Sequence, residues 1–135
     1  MILFENSIIK LDYNPATDIA VVQYPDLHGY LLAEIKHSID LLVETIRNYD
    51  VKLLMLDSTR TTISVSPEES REVATYLAAR VMTTRVRKVA RVQSQSVAVE
   101  KTAQENIKHV KEAQSPPFQV QTFASKEEAT AWLLS

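Results

Sequence analysis

The chain contains no cysteine, and a single glycine stands among its 135 residues. Without thiols there is no disulfide framework, no thiolate metal site and no cysteine nucleophile, a composition that fits a reducing, cytoplasmic location. With Gly29 as the lone glycine there is no glycine-rich phosphate loop and no Gly-x-Ser-x-Gly nucleophile elbow. No apolar run approaches the roughly 20 residues needed to cross a bilayer, so no membrane span is expected. The start, Met1-Ile2-Leu3-Phe4-Glu5-Asn6, lacks the basic and long apolar stretches of a signal peptide. Lysine and arginine number 15 against 17 acids, for a net charge of −2. A general polyanion binder carries a basic excess, so nucleic acid is not an expected partner.

What is present is the material of one folded domain, residues 1–135: 45% of the chain is hydrophobic and 24% charged. Ile8 to Tyr13 alternates in the manner of a strand. Turn formers follow at Asn14-Pro15-Ala16-Thr17-Asp18, and Ile19 to Tyr24 completes a hairpin. From about Tyr30 to Tyr49 the period becomes helical, with Leu31, Ile35, Ile39, Leu42, Val43 and Ile46 on one face. Gly29 stands at the entry to this helix. Lys52 to Asp57 is a continuous apolar run ending in an acid, as in a central strand covered on both faces. Ser66-Pro67-Glu68-Glu69 announces a second helix, with serine as cap, proline at its first position and Glu69 in place for a capping box. This helix runs to about Thr83 and buries Val73, Tyr76, Leu77 and Val81. Val89 to Val92 reads as a further strand. Val99, Ala103, Ile107 and Val110 mark a third helix that Ser115-Pro116-Pro117 ends. Phe118 to Thr122 alternates as the last strand, and Ser125 caps a terminal helix with Ala129, Trp132 and Leu133 inward. The expected fold is α/β, a mostly parallel mixed sheet of about five strands with an N-terminal antiparallel hairpin and about four helices.

The hairpin, the long helix, the central Leu-Leu-Met-Leu-Asp strand and the closing Val-Gln-Thr-Phe-Ala-Ser-Lys-Glu-Glu-Ala-Thr-Ala-Trp-Leu-Leu segment together resemble the SpoIIAA-like branch of the STAS superfamily. In that family a last strand ends in an aromatic, and a short helix with an Ala-x-x-Trp-Leu ending packs back on the sheet. Phe123, Ala129, Trp132 and Leu133 match this layout. The resemblance implies a single-domain STAS sandwich and a regulatory, protein-binding role without catalysis. STAS anti-sigma-factor antagonists carry an Asp-Ser-Ser-Gly-type signature whose serine is phosphorylated. The corresponding stretch, Asp57 to Ser66, has no such motif, and its hydroxyls nearest the phosphorylated position are Ser64 and Ser66. The SpoIIAA-like branch also resembles lipid-binding domains of the Sec14 type.

The candidate binding site is the polar loop after the central strand, because ligands of open α/β sheets gather beyond the carboxyl ends of strands. Asp57, Ser58, Thr59, Arg60, Thr61 and Thr62 supply donors and acceptors there, and Arg60 offers a fork for carboxylate or phosphate. The plainer alternative is a solvated loop that satisfies its own backbone. For Ser66 the plainer role is the helix cap. The basic segment Arg80, Arg85, Arg87, Lys88 and Arg91 offers a surface for an acidic partner, anionic lipid or nucleic acid, against the plainer reading of a solvated helix end and strand edge. His28, His37 and His109 lie at no metal-ligand spacing and read as surface residues. No metal, cofactor or catalytic residue is expected. Two functions lead, a regulatory module that docks an unidentified protein partner, with a homodimer as one option, and a carrier of a small apolar molecule or lipid in a pocket between helices and sheet; a third, an enzyme using Asp57 as an acid or base, would require a concave site around it.

Overall fold

A computed structural model describes residues 1–24, 30–61 and 66–135. Gly29 at the helix entry, His28, Thr62 and Ser64 lie outside the described residues. The elements run β1 (Ile2–Glu5), β2 (Lys10–Asn14), β3 (Ile19–Gln23), α1 (Leu32–Asn48), β4 (Leu53–Asp57), α2 (Pro67–Val81), β5 (Lys88–Val92), α3 (Val97–Gln114), β6 (Gln119–Phe123) and α4 (Lys126–Leu133). The class is α/β, as the periodicities predict. The sheet has six strands in place of about five, in the order β1-β2-β3-β4-β5-β6. The extra strand is β1, four residues long and largely open to solvent, with no inward alternation to betray it. It exists by pairing antiparallel to β2 across an irregular register between Ile2 and Phe4, with the Met1 ammonium 2.9 Å from the Asp12 carboxylate.

The β2–β3 pair is antiparallel, while β3–β4, β4–β5 and β5–β6 are parallel. Three successive crossovers advance in the same direction, and a common right-handed sense places their helices on one face of the sheet. Packing agrees. Ile35, Ile39, Leu42, Val43 and Ile46 of α1 and Val73, Leu77 and Val81 of α2 pack with Leu11, Ala20, Val22, Leu54 and Val89. The opposite face holds Ile19, Leu53, Met55, Ala90 and Val92, covered by Ala129 and Leu133 of α4. β5, the least distinct strand in the sequence, is interior and paired on both sides.

Capping follows the sequence closely. Ser66 Oγ accepts from the Glu69 amide at 3.2 Å with Pro67 in the first turn, and Ser125 Oγ accepts from the Glu128 amide at 3.2 Å. α1 differs: its N-cap is Leu31, which is exposed and makes no side-chain cap, so Leu31 lies outside the buried stripe. Tyr76 is only half-buried, its hydroxyl turned outward to Asp40. Among the described residues the scarcity of glycine shows at three places where the backbone turns left-handed on other residues: Asp18 (φ 59°), Asp50 (φ 52°) and Ser115 (φ 44°). At Asp50 the Val51 amide returns to the Ile46 carbonyl at 3.1 Å and the Asp50 amide to Arg47 at 3.2 Å, closing α1 in a Schellman motif.

Left-handed backbone on an L-residue costs about 1–2 kcal/mol, and glycine gives back roughly 0.5–1 kcal/mol of this through the unfolded state. Ser115→Gly is therefore expected to stabilise the fold by about 0.5 kcal/mol. Ser115→Val is expected to destabilise it, since a β-branched side chain tolerates that backbone least. Urea denaturation of the three proteins checks the order.

Candidate functional site

The loop that the sequence singles out divides between two places. Asp57 closes β4 with its side chain buried. Its Oδ1 accepts from the Thr59 amide at 3.0 Å and the Thr59 hydroxyl at 2.6 Å, and its Oδ2 lies 3.0 Å from Lys126 Nζ at the start of α4. Burial opposes ionisation, but the Thr59 hydrogen bonds and the Lys126 ammonium outweigh it and hold the carboxyl below its usual range. Asp57 is thus an Asx turn pinned to α4. Exposed Arg60 lies with Asp57, Gln23 and Tyr24 along a polar cleft of about 200 Å³ whose other wall is the β1–β2 connection.

Ser58 and Thr61 go elsewhere. Both are buried and face a second cavity, of about 140 Å³, bounded by the sheet, α2 and α3. The Ser58 amide donates to the Val92 carbonyl at 3.1 Å, and Thr61 Oγ1 donates to the Tyr24 carbonyl at 3.2 Å, so the strand ends fix both residues. Thr61's own carbonyl accepts from the Ser94 hydroxyl. Ser66 is exposed and serves as the cap of α2.

The cavity walls are mainly apolar: Leu54, Val89 and Val120 from the sheet, Leu77 from α2, Ala103 and Ile107 from α3. This explains a departure from the sequence pattern of α3. Val99, Ala103 and Ile107 are half-buried, Val110 alone of the four markers is buried, and no α3 residue joins either core cluster. The apolar stripe of α3 faces the cavity and packs beside α2, outside both core clusters.

Residues that the sequence does not assign to the site complete it. Arg91, on the same sheet face as Val89, is buried at 8% exposure, which corrects its reading as part of a solvated segment. Its guanidinium makes a bidentate pair with Glu100 of α3, at 2.9 and 2.7 Å, and Glu100 also accepts from the Ser94 amide at 2.6 Å. Burial disfavours the Glu100 carboxylate, yet Arg91, the Ser94 amide and Gln104 overcome this and lower its pKa. Asn106 is buried in the α3 stripe and donates to Ser70 Oγ at 2.9 Å. Tyr24 lines both cavity and cleft, and burial pushes its phenol up to about 12 despite the nearby Arg91 charge. Two signals for these residues were present in the sequence. Arg91 alternates in phase with inward Val89, and Asn106 falls on the Val99–Val110 stripe.

In the rest of the basic segment Arg87 is exposed, and the other three residues have local partners. Arg80 sits 3.1 Å from Asp40, Arg85 3.4 Å from Asp50, and Lys88 donates to the Trp132 carbonyl at 3.0 Å while lying over the Trp132 ring. Because β5 is interior, Lys88 and Arg91 are not on a strand edge. His37 is exposed and His109 half-buried. Among the described residues no three His, Asp or Glu side chains cluster as a metal site, and no helix is long and apolar enough to cross a membrane. Comparison with protein-family models, with curated proteins and with solved structures finds no match to this chain.

A glutamate whose pKa is lowered by folding contributes stability that is complete above its unfolded value and is lost as pH falls through the folded one. The Arg91–Glu100 pair is therefore expected to stabilise fully at pH 7 and to fail in the acid range below about pH 4.3. Glu100→Gln leaves a buried guanidinium uncompensated and is expected to cost roughly 3 kcal/mol at pH 7. The deficit should shrink below pH 4. Denaturation of wild type and variant from pH 3 to pH 8 reads this out, and a pH-independent gap would contradict it. Ser66→Ala is expected to cost about 1 kcal/mol and Ser66→Asp almost nothing, as a cap requires.

Proposed function

We propose that this protein is a non-enzymatic binding domain that seats a small apolar molecule in the cavity between α2, α3 and the sheet. The observation that carries the reading is the cavity itself, about 140 Å³ of mainly apolar space between the sheet and a helix whose hydrophobic stripe joins neither core cluster. Apolar cavities of about 150 Å³ accept ligands of benzene size. A role without chemistry is supported by the state of the polar groups. Arg91 is held by Glu100, Asn106 bonds Ser70, and Asp57 is bound to Thr59 and Lys126. A place in the SpoIIAA-like STAS branch belongs to the same proposal, and its carrier-like side accords with the cavity. Support comes from the closing segment, where the Phe123 and Trp132 rings lie 5.5 Å apart and Ala129 and Leu133 are buried against the sheet.

Native mass spectrometry of protein purified gently from its host is expected to show extra mass that denaturation removes. Ala103→Trp, which fills the cavity from α3, is expected to remove that mass while the far-ultraviolet spectrum stays unchanged. A bare mass, together with no thermal shift on adding toluene or indole, would refute the carrier reading. A second reading, docking of a regulatory protein partner at the loop, has its own support in exposed Arg60 beside the polar cleft. It requires that Arg60→Glu abolish partner capture, whereas the carrier reading leaves ligand binding untouched by that change.

A further inference from the structure

We infer that the cavity selects an uncharged, compact ligand of about the size of benzyl alcohol, with a hydrocarbon body and one hydrogen-bonding group. The inference rests on the binding reading above and concerns what that site takes. Apart from Asn106, which is bonded to Ser70, and Lys111 at the rim, the buried polar lining lies toward one end of the strands. Tyr24, Ser58, Thr61 and Arg91 gather near the carboxyl ends of β3, β4 and β5, while Val81, Val110 and Phe118 line the opposite end. A ligand that fits both ends carries its polar group toward Tyr24 and Arg91.

Charge accounting then decides the kind of polar group. The one buried cation in the wall, Arg91, is matched by Glu100 in a two-bond pair, and the Glu100 carboxylate is further held by the Ser94 amide. The polar end therefore carries no net charge from this pair. A ligand carboxylate would add a second anion beside Glu100 that the single Arg91 charge does not balance. A ligand ammonium would face Arg91. Either outcome strips a charge of hydration without replacing it. A hydroxyl or carbonyl asks less. Guanidinium has five N–H donors, of which the pair with Glu100 uses two, and Tyr24 and Ser58 line the same cavity. The other wall cation, Lys111, is exposed at the rim, where hydration and salt screening weaken its pull on an anion.

The test is a titration of the full-length, ¹⁵N-labelled chain at pH 7 with toluene, benzyl alcohol, benzoate and benzylamine, followed through the amides of Val89 and Ile107 and the Asn106 side chain. Toluene and benzyl alcohol are expected to shift these signals. Benzoate and benzylamine are expected to bind at least about tenfold more weakly, the equivalent of one buried, uncompensated charge at its mildest. Tyr24→Phe is expected to weaken benzyl alcohol several-fold and to leave toluene unchanged. If benzoate or benzylamine binds as tightly as benzyl alcohol at these signals, the neutral-ligand inference is overturned while the binding reading stands. If none of the four moves them, both fall.

Discussion

Each crossover in this protein carries the chain to the next strand on the same side, and that constraint governs the rest of the structure. Sequential strand order with one handedness puts α1, α2 and α3 on a single face. The other face must then be covered by what remains of the chain, and the eight-residue α4 does so with Ala129, Trp132 and Leu133. On the crowded face α1 and α2 seal the core over β2, β3 and β4. α3 comes last, over β5 and β6, and meets the sheet across a cavity.

The Arg91–Glu100 pair stands at the point where α3 would otherwise be least attached. Two hydrogen bonds to a guanidinium on β5 and one from the Ser94 amide fasten the first turn of the helix to the sheet. Ser96 Oγ caps the same turn by accepting from the Val99 amide at 3.3 Å. Further along, Asn106 ties α3 to Ser70 on α2. Polar contacts with strict geometry hold the helix at a distance from the sheet, where apolar side chains alone would let it settle and close the space. The same contacts leave the polar end of the cavity electrically balanced, so positioning of the helix and character of the site have one origin.

Much of the fold is legible in the residues. The period of Ile35 to Ile46, the Ser66 and Ser125 caps and the unbroken Leu53–Leu56 run each state a local preference that the tertiary structure honours. β1 is not legible, because a four-residue edge strand draws its order from the neighbour it pairs with and carries no pattern of its own. The candidate loop is legible in part. Its position beyond a central strand is written in the Lys52–Asp57 run. The turning of Ser58 and Thr61 into the cavity and of Asp57 and Arg60 toward the polar cleft is not, since side-chain direction in a loop depends on what the flanking elements leave open.

The amino-acid sequence by itself determined the α/β class, the helices and their caps, and the strands with a strong apolar signal, because these depend on interactions within a few residues. Only the tertiary structure decided the strand order, the division of helices between two faces and the cavity. Those follow from contacts such as Arg91 with Glu100 and Asp57 with Lys126, in which residues from different elements become neighbours once the sheet has formed. An arginine in an apolar strand reads as solvated until its partner arrives from the next helix, and an apolar stripe reads as core until the sheet stands too far away to fill it.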